Sequence, residues 1–302
     1  MFDLTSEQRD GFLGLMREVY GRAMSEDEFA WFFERNPAGG PILSAAEDGE
    51  RVLGVLAMSL ARALVDGREE LVAFAVHAVT HPEARGKGIF SRLELRNEER
   101  ADEAGASLAL GFTNPLAGPI LVGKLGWRDL YRMRLWARVL RLRRPAERGR
   151  LSGPGGTLDR FGERHEAAWR AVAPRWGNCL IRDEAYLNWR YADSPKDYRI
   201  FESPNGYAVV SDAVQKGVWA AVICELVGPP RDARSLLKRC LREARGGPAV
   251  AIAVPAPGQH AAYLSLGFVP TPRTFRVIGK PLRLDAALPQ RWHFMPGDTD
   301  FF

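Results

Sequence analysis

A basic, glycine-containing turn between a predicted strand and a predicted helix constrains this chain more than any other feature. The turn covers residues 81–90 and reads His-Pro-Glu-Ala-Arg-Gly-Lys-Gly-Ile-Phe. A strand-like stretch, residues 71–80, leads directly into it, and a helix-like stretch, residues 89–103, leaves it. The chain therefore places a strand, a tight turn and a helix N-terminus in immediate succession, an arrangement that suits anion binding.

The residues of the turn indicate which anion. Gly86 and Gly88 allow a tight turn and let the backbone approach a ligand with no Cβ in the way. The amides that follow begin a helix, where unpaired N–H groups and the helix dipole favour negative charge. Arg85 and Lys87 add two cationic side chains at the same place. The turn therefore predicts a pyrophosphate site.

The spacing of the turn distinguishes among known pyrophosphate loops. A Walker loop needs Gly-x-x-x-x-Gly-Lys-Ser/Thr, which is absent, and a Rossmann loop needs a third glycine where this chain has Ser91. The run instead resembles Arg/Gln-x-x-Gly-x-Gly/Ala, the acetyl-CoA loop of the GNAT acyltransferase superfamily. Phe90 departs from this pattern, and we expect its side chain to point into the core between helix and sheet. A surface turn that is rich in Gly and Arg by chance is the alternative.

The order of the predicted elements agrees with this resemblance over residues 5–141. Two helices precede three antiparallel-type strands, and helix, strand, helix and strand follow. The helices are predicted at residues 5–20, 25–36, 89–103 and 115–124, and the strands at 42–47, 51–65, 71–80, 107–113 and 127–141. The predicted fold class is α/β (α+β): two tandem GNAT-like domains, each with a mixed, mostly antiparallel, splayed sheet flanked by helices.

The second half repeats the first imperfectly. Leu125-Gly126-Trp127 recurs as Leu266-Gly267-Phe268, each after a strand and a short helix. The second half has Gly-Pro-Pro after Val227 in place of the basic loop, and proline removes amide donors that a phosphate would need. We therefore expect a degenerate second domain. The predicted boundaries are 1–142 for the cofactor-binding domain, 143–156 for a linker, 157–282 for the degenerate domain and 283–302 for a tail.

The resemblance to the GNAT superfamily implies where the cosubstrate, acetyl-CoA, binds. It implies a V-shaped opening between the strand ending at Thr80 and the strand ending at Asn114. The pantetheine arm would lie there and bond main-chain groups near Val79 and His81. The residues expected to bind the cofactor are Val79, Thr80, His81, Arg85, Gly86, Lys87, Gly88, Ile89, Phe90, Ser91 and Asn114.

The implied chemistry is direct attack of an amine on the thioester, which needs a base and is helped by an acid. His77 is the candidate base because its ordinary pKa suits neutral pH, with Glu69 and Glu70 as alternatives. A half-buried histidine bonded to main chain remains the alternative for His77. Many superfamily members use a tyrosine as the acid, but Val122 occupies that position, so Tyr131 is the candidate substitute.

Composition limits the class of partner. The net charge of +5 suits an anionic ligand such as CoA without requiring nucleic acid. The arginine-rich stretch around residues 132–150 has little aromatic interleaving, which favours a solvated segment over a nucleic-acid surface. His77 and His81 lie about 13 Å apart on a strand, and the three cysteines lack metal spacing, so we expect no metal site.

The same features bear on location. Sparse cysteines favour a reducing compartment, and neither a signal peptide nor a membrane span is expected, so the sequence predicts a cytoplasmic protein with no membrane association. The oligomeric state is left open.

The C-terminal end of the chain is rich in aromatic residues. We expect Trp292, Phe294, Phe301 and Phe302 to pack on the body, either lining an acceptor pocket with Asp298 and Asp300 or simply covering the second domain.

The leading function is N-acylation of a small or peptidic amine. The alternatives are a non-catalytic acyl-CoA-binding or scaffold protein and an aminoacyl-tRNA-dependent ligase of the Fem type, which would need no working CoA loop.

Overall fold

The chain forms two compact units, and each contains segments that are distant in sequence. The computed structural model describes residues 6–21, 24–49, 51–140, 158–215, 217–244, 248–283 and 288–299. Unit 1 comprises residues 1–131 and 276–290, and unit 2 comprises residues 132–275 and 291–302. The division differs from the expected boundary at residue 142, because two strands contribute residues to both units. The expected linker, residues 143–156, lies outside the described residues.

Unit 1 contains the elements that the first half of the sequence predicts. The helices are α1 (Ser6–Tyr20), α2 (Glu26–Phe29), α3 (Ile89–Glu103) and α4 (Gly118–Lys124). The strands are β1 (Ile42–Asp48), β2 (Arg51–Val65), β3 (Arg68–Thr80), β4 (Leu108–Thr113) and the start of β5 (Arg128–Val139). Within this unit the strand order is β1-β2-β3-β4-β11-β5, where β11 (Val269–Pro281) contributes residues 276–281. The β3–β4 pair is parallel, and the other registered pairs of the unit are antiparallel.

The central strand β2 separates two helical layers. Successive side chains of a strand point to opposite faces of the sheet. Val55 and Ala57 accordingly pack in one cluster with α1 and the aromatic side chains near α2. Leu56 and Met58 pack in another cluster with α3 and α4. The sheet of unit 1 is therefore covered by helices on both faces.

The aromatic segment after α2 forms a π-helical turn. Ser25 and Glu28 form the predicted capping box at the start of α2, and residues Ala30–Glu34 then widen into the π turn. This geometry buries Trp31 and Phe33. The same sequence of a four-residue helix and a π turn recurs in unit 2, at Glu184–Leu187 and Asn188–Ala192.

Unit 2 follows the element order of unit 1. Its helices are α5 (Glu163–Trp176), α6 (Glu184–Leu187), α7 (Pro230–Glu243) and α8 (His260–Ser265). Its strands are β6 (Cys179–Leu180), β7 (Arg199–Ser203), β8 (Gly206–Gln215), β9 (Val218–Val227), β10 (Val250–Ala253) and parts of β5 and β11. The strand order is β5-β10-β9-β8-β7, and β9 and β10 are parallel, as β3 and β4 are in unit 1.

The repeated Leu-Gly-aromatic motif has the same geometry in both units. Gly126 has φ 77° and Gly267 has φ 78°, the left-handed region that favours glycine. Trp127 and Phe268 follow them and are both buried. The recurrence of this turn, of the π turn and of the element order agrees with an internal duplication.

The C-terminal segment packs on unit 2, which is the simpler of the two expectations for it. Trp292 and Phe294 stack with ring planes 3° apart, and both are buried. The main chain of Asn178 accepts a hydrogen bond from His293 and donates one to Arg291. Asp298 is ion-paired with Arg182, and both side chains have no exposed surface, so Asp298 does not line an acceptor pocket as proposed from sequence. Asp300, Phe301 and Phe302 lie outside the described residues.

None of the helices among the described residues is long and apolar enough to cross a membrane.

Candidate functional site

The two parallel strands of unit 1 separate at their C-terminal ends. β3 and β4 are paired from Val72–Leu108 to Ala75–Gly111 and no further. Beyond that point β3 stays paired with β2 as far as Thr80, and β4 stays paired with β11 as far as Thr113. Because each strand is held by its outer neighbour, a gap opens between residues 76–80 and 112–114. This gap lies where the family resemblance implies a V-shaped opening.

A cavity of about 170 Å³ occupies the gap. Met16 and Tyr20 of α1 line it on one face of the sheet, and Phe90 and Glu94 of α3 line it on the other. The floor of the cavity includes Gly111, where the strands part. A ligand that enters the gap can therefore contact side chains from both helical layers.

A β-bulge lies on the β3 side of the gap. Leu56 pairs with Ala78 and Met58 with Ala75, so a single β2 residue stands opposite two β3 residues, Val76 and His77. A bulge leaves one residue outside the ladder and locally redirects the strand. The bulge therefore interrupts the regular main-chain pairing of β3 at the position where the cavity begins.

The basic turn lies at the entrance to the gap. Pro82–Ala84 form a single 3-10 turn, and Gly86 and Gly88 then adopt left-handed conformations with φ 77° and 73°. Gly88 is the N-cap of α3 and offers no side-chain acceptor to the first helical amides. Those amides therefore remain available for an anion.

A second cavity, of about 470 Å³, lies against this turn. Its lining includes Arg85, Gly86, Gly88, Ile89, Phe90, Ser91, Thr80 and Asn114. Tyr20, Ala78, Phe90, Asn114 and Ala117 line both this cavity and the gap. The two cavities therefore form one path from the basic turn to the point where the strands separate.

The expected cofactor residues differ in exposure and in the contacts that they make. The side chains of Arg85 and Lys87 are exposed at the turn. Phe90 is partly buried, packs against the core of the α3 layer and lines both cavities, as expected for a bulky residue there. The side chain of Asn114 accepts hydrogen bonds from the amides of Leu116 and Ala117, so it fixes the turn into α4.

His81 is engaged by protein partners. Its amide donates to Leu53 and its carbonyl accepts from Ala84, and its ring lies 2.9 Å from both Arg51 and Glu18. The amide of His81 already has a main-chain acceptor, and the residue fixes the turn. The side chain of Val79 is 3% exposed and belongs to the core of the α1 layer, so only its main chain faces the gap.

His77, the candidate base, is one of the two β3 residues at the bulge. It is half-buried, lines the gap and lies on the α1 side of the sheet. Its ring is edge-on to Phe12, Phe32 and Phe33, with centroids 5.9–6.2 Å away. The alternative candidate Glu69 is instead ion-paired with Arg62, on the strand segment far from the bulge.

Tyr131 does not line either cavity, so the structure does not support it as the acid. Burial raises the pKa of its hydroxyl, which keeps the group protonated on β5. Val122, at the position of the usual tyrosine, packs against the core of the α3 layer. The two acid positions considered from sequence therefore supply no proton donor to the gap.

The sequence reasoning missed Glu94. This residue lies on α3, is 1% exposed and lines the gap. Burial, reinforced by the nearby Glu98 carboxylate, raises the pKa of Glu94 to about 8. A signal was available, because Glu94, Asn97 and Glu98 occupy the buried face of α3 together with Leu93. Charged residues on a core-facing stripe are unusual and mark functional sites more often than surface charges do.

Comparison with known proteins finds similarity to acetyltransferases in sequence and in fold. A sequence model described as "Acetyltransferase (GNAT) domain" matches residues 3–128. A GCN5-related N-acetyltransferase from Anabaena variabilis superposes with TM-score 0.66 at 11% identity, over 92% of this chain and 71% of that protein. One from Kribbella flavida gives TM-score 0.65 at 18% identity, over 93% and 70%. Eis1 from Mycobacterium abscessus gives 0.58 at 14% identity, over 93% and 73%. No protein of curated function matches the sequence significantly.

Proposed function

We propose that this protein is an acyl-CoA-dependent N-acyltransferase that uses acetyl-CoA, because residues 3–128 match a sequence model of the GNAT acetyltransferase domain. The observation that carries the proposal is the splayed β3–β4 pair with the basic turn at its entrance. The acceptor is a small or peptidic amine, and the reaction takes place in the cytoplasm.

The geometry supports a defined position for the cosubstrate. The diphosphate binds the first amides of α3, between Arg85 and Ser91, where the helix N-terminus and two cationic side chains favour it. The pantetheine arm then follows the path into the gap and bonds main-chain groups of residues 76–80, the part of β3 that β4 does not cover. The thioester reaches the bulge, where main-chain N–H groups can stabilise an oxyanion.

The amine approaches from the α1 side of the sheet. His77 lies on that side and accepts the ammonium proton, directly or through a water molecule. The ring of Tyr20 and the side chain of Met16 border the same entrance. The acceptor therefore meets a largely apolar surface with one basic group.

Two variants test the position of the diphosphate. Gly88→Glu places a carboxylate at the anion site, and we expect CoA binding measured by calorimetry to be lost. Gly105→Glu is the matched control, because Gly105 also has positive φ, 95° against 73°, but lies at the opposite end of α3. If both variants bind CoA as the wild type does, the assigned diphosphate position is wrong.

A non-catalytic acyl-CoA-binding protein is the second candidate. It is favoured by Val122 at the usual acid position and by the absence of Tyr131 from the residues that line the gap. Release of free thiol from acetyl-CoA in the presence of a panel of amines separates the candidates. An enzyme releases thiol with at least one amine, whereas a binding protein leaves the thioester intact with all of them. The Fem-type alternative is disfavoured, because such a ligase would need no working CoA loop, whereas this chain has a basic turn at the entrance to the gap.

A further inference from the structure

Glu94 is a buried acid with an unfilled hydrogen-bonding position inside the gap. Its side chain lines the cavity and is 1% exposed, and its Oε1 atom has no hydrogen-bond partner. Leaving a buried polar atom without a partner costs roughly 1–3 kcal/mol. A ligand group that enters the gap and bonds this oxygen removes that cost.

The position of Glu94 complements that of His77. His77 packs against phenylalanines of the α1 layer, whereas Glu94 belongs to α3 on the opposite face of the sheet. The cavity between the separated strands is lined by both residues. A thioester placed in the gap would therefore have a base on one face and a buried carboxyl on the other.

The charges around Glu94 favour its protonated form. Burial and the Glu98 carboxylate, four residues along α3, disfavour a second negative charge, so the pKa of Glu94 rises to about 8. Glu98 is itself bonded to Lys280 of β11 at 2.5 Å and to the indole of Trp127 at 2.7 Å. The other titratable groups that line the cavity are His77 on β3 and Tyr20 on α1.

We propose that Glu94 donates its proton to the sulfur atom of CoA when the thioester bond breaks. This proposal rests on the proposed function and assigns the acid that Val122 and Tyr131 do not supply. Glu94 occupies the α3 side of the gap, along the path by which the pantetheine arm enters from the turn.

The amine lone pair forms the new C–N bond, and the carbonyl π electrons move to oxygen. When the carbonyl re-forms, the C–S bond breaks and its electron pair leaves with sulfur. The carboxyl proton of Glu94 passes to sulfur, giving CoA thiol and a carboxylate, while His77 takes the ammonium proton. Because burial disfavours the Glu94 carboxylate, it regains a proton from solvent as the product leaves.

The titration of bound CoA tests this contact without any acceptor. CoA labelled with ¹³C at the carbon bonded to sulfur is bound to the full-length protein, and its chemical shift is followed by NMR as the pH rises. If Glu94 adjoins the sulfur, the thiol and the carboxyl titrate as a coupled pair, and the shift changes in two steps. In Glu94→Gln, which cannot titrate, the shift changes in one step.

Two further variants complete the design. Glu99→Gln makes the same chemical change at an exposed position of α3 and is expected to retain two steps. Glu94→Asp keeps an acid and is also expected to retain two steps, so the proposal stays testable if the Gln variant does not fold. A single step in the wild-type protein, or two steps in Glu94→Gln, overturns the role of Glu94. Absence of any CoA binding by calorimetry overturns the proposed function as well.

Discussion

Glu94 makes the stability of the protein depend on pH. Its pKa is about 8 in the folded chain and about 4.5 when unperturbed, so the folded state binds an extra proton between these values. Stability contributed by this group is therefore full below about pH 4.5 and is lost as the pH rises to about 8. We predict that, as the pH rises across this interval, the free energy of unfolding of Glu94→Gln increases relative to that of the wild type by roughly 2–5 kcal/mol. Urea unfolding at a series of pH values measures this difference.

The exposed Glu99 provides the control for that measurement. Glu99→Gln should follow the wild type at every pH, because an exposed carboxyl changes little on folding. A constant difference between Glu94→Gln and the wild type from pH 4.5 to 8 would contradict the raised pKa.

A related prediction concerns the rate. If Glu94 must be protonated to donate, kcat with an amine substrate falls as the pH rises above about 8, and Glu94→Gln loses this alkaline decline. At neutral pH the variant should be slower by about tenfold to a hundredfold, since a thiolate leaves with less help than the ~10²–10⁴ usual for acid catalysis. Thiol release against pH, with Glu99→Gln in parallel, measures both effects, and an unchanged profile in the Gln variant would exclude the acid role.

At the scale of elements, the sequence was most informative where a local rule determines the outcome. The basic turn and the start of α3 follow from Gly86 and Gly88, which can adopt the left-handed conformations found there. The alternation along β2 likewise predicts which side chains face each helical layer. The gap between β3 and β4, in contrast, depends on which outer neighbour holds each strand. That pairing is not encoded locally, so the gap could be expected only through the family resemblance.

The contribution of the C-terminal segment to the stability of the protein can be measured. Asp298 receives two hydrogen bonds from Arg182 Nη2, at 2.6 and 2.8 Å, and neither side chain has exposed surface. Removing one partner of a buried ion pair typically costs about 3–5 kcal/mol, because the remaining charge is left unpaired. Glu225 also bonds Arg182, at 3.3 Å, and keeps part of this charge compensated. We predict that Asp298→Ala lowers the free energy of unfolding by about 2–4 kcal/mol, measured by chemical denaturation.

An exposed ion pair of the same unit provides the comparison. Asp193 is bonded to Arg160 at 2.5 Å, but both side chains are about half exposed. Asp193→Ala should therefore cost less than about 1 kcal/mol. An equal decrease in the free energy of unfolding for the two variants would show that burial of the Arg182–Asp298 ion pair does not determine its contribution to stability.

At the scale of the whole molecule, the division of β5 and β11 between the units could not be read from the sequence. The predicted boundary at residue 142 assumed that each domain is one continuous segment. In the structure, residues 276–281 of β11 pair with β4 and belong to unit 1. Ile278 and Val277 in this stretch are fully buried. No local sequence signal shows to which unit a strand belongs, because a strand with alternating apolar and polar side chains fits either unit.

Because β11 pairs with β4, we predict that residues 1–140 do not fold by themselves. A fragment of residues 1–140 lacks the strand that covers β4, so it exposes a row of unpaired main-chain groups and the core side chains beneath Ile278. We expect the fragment to aggregate and to show no CoA binding by calorimetry. Residues 274–290, appended through a flexible Gly/Ser linker, should restore a soluble fragment that binds CoA. The appended segment supplies the strand that pairs with β4 and the Lys280 that forms an ion pair with Glu98, beside Glu94. As a control, the appended strand carrying Ile278→Asp should fail to rescue, since it places a charge at a fully buried position. A folded, CoA-binding fragment of residues 1–140 would show that the first segment is self-sufficient and that β11 is dispensable for the site.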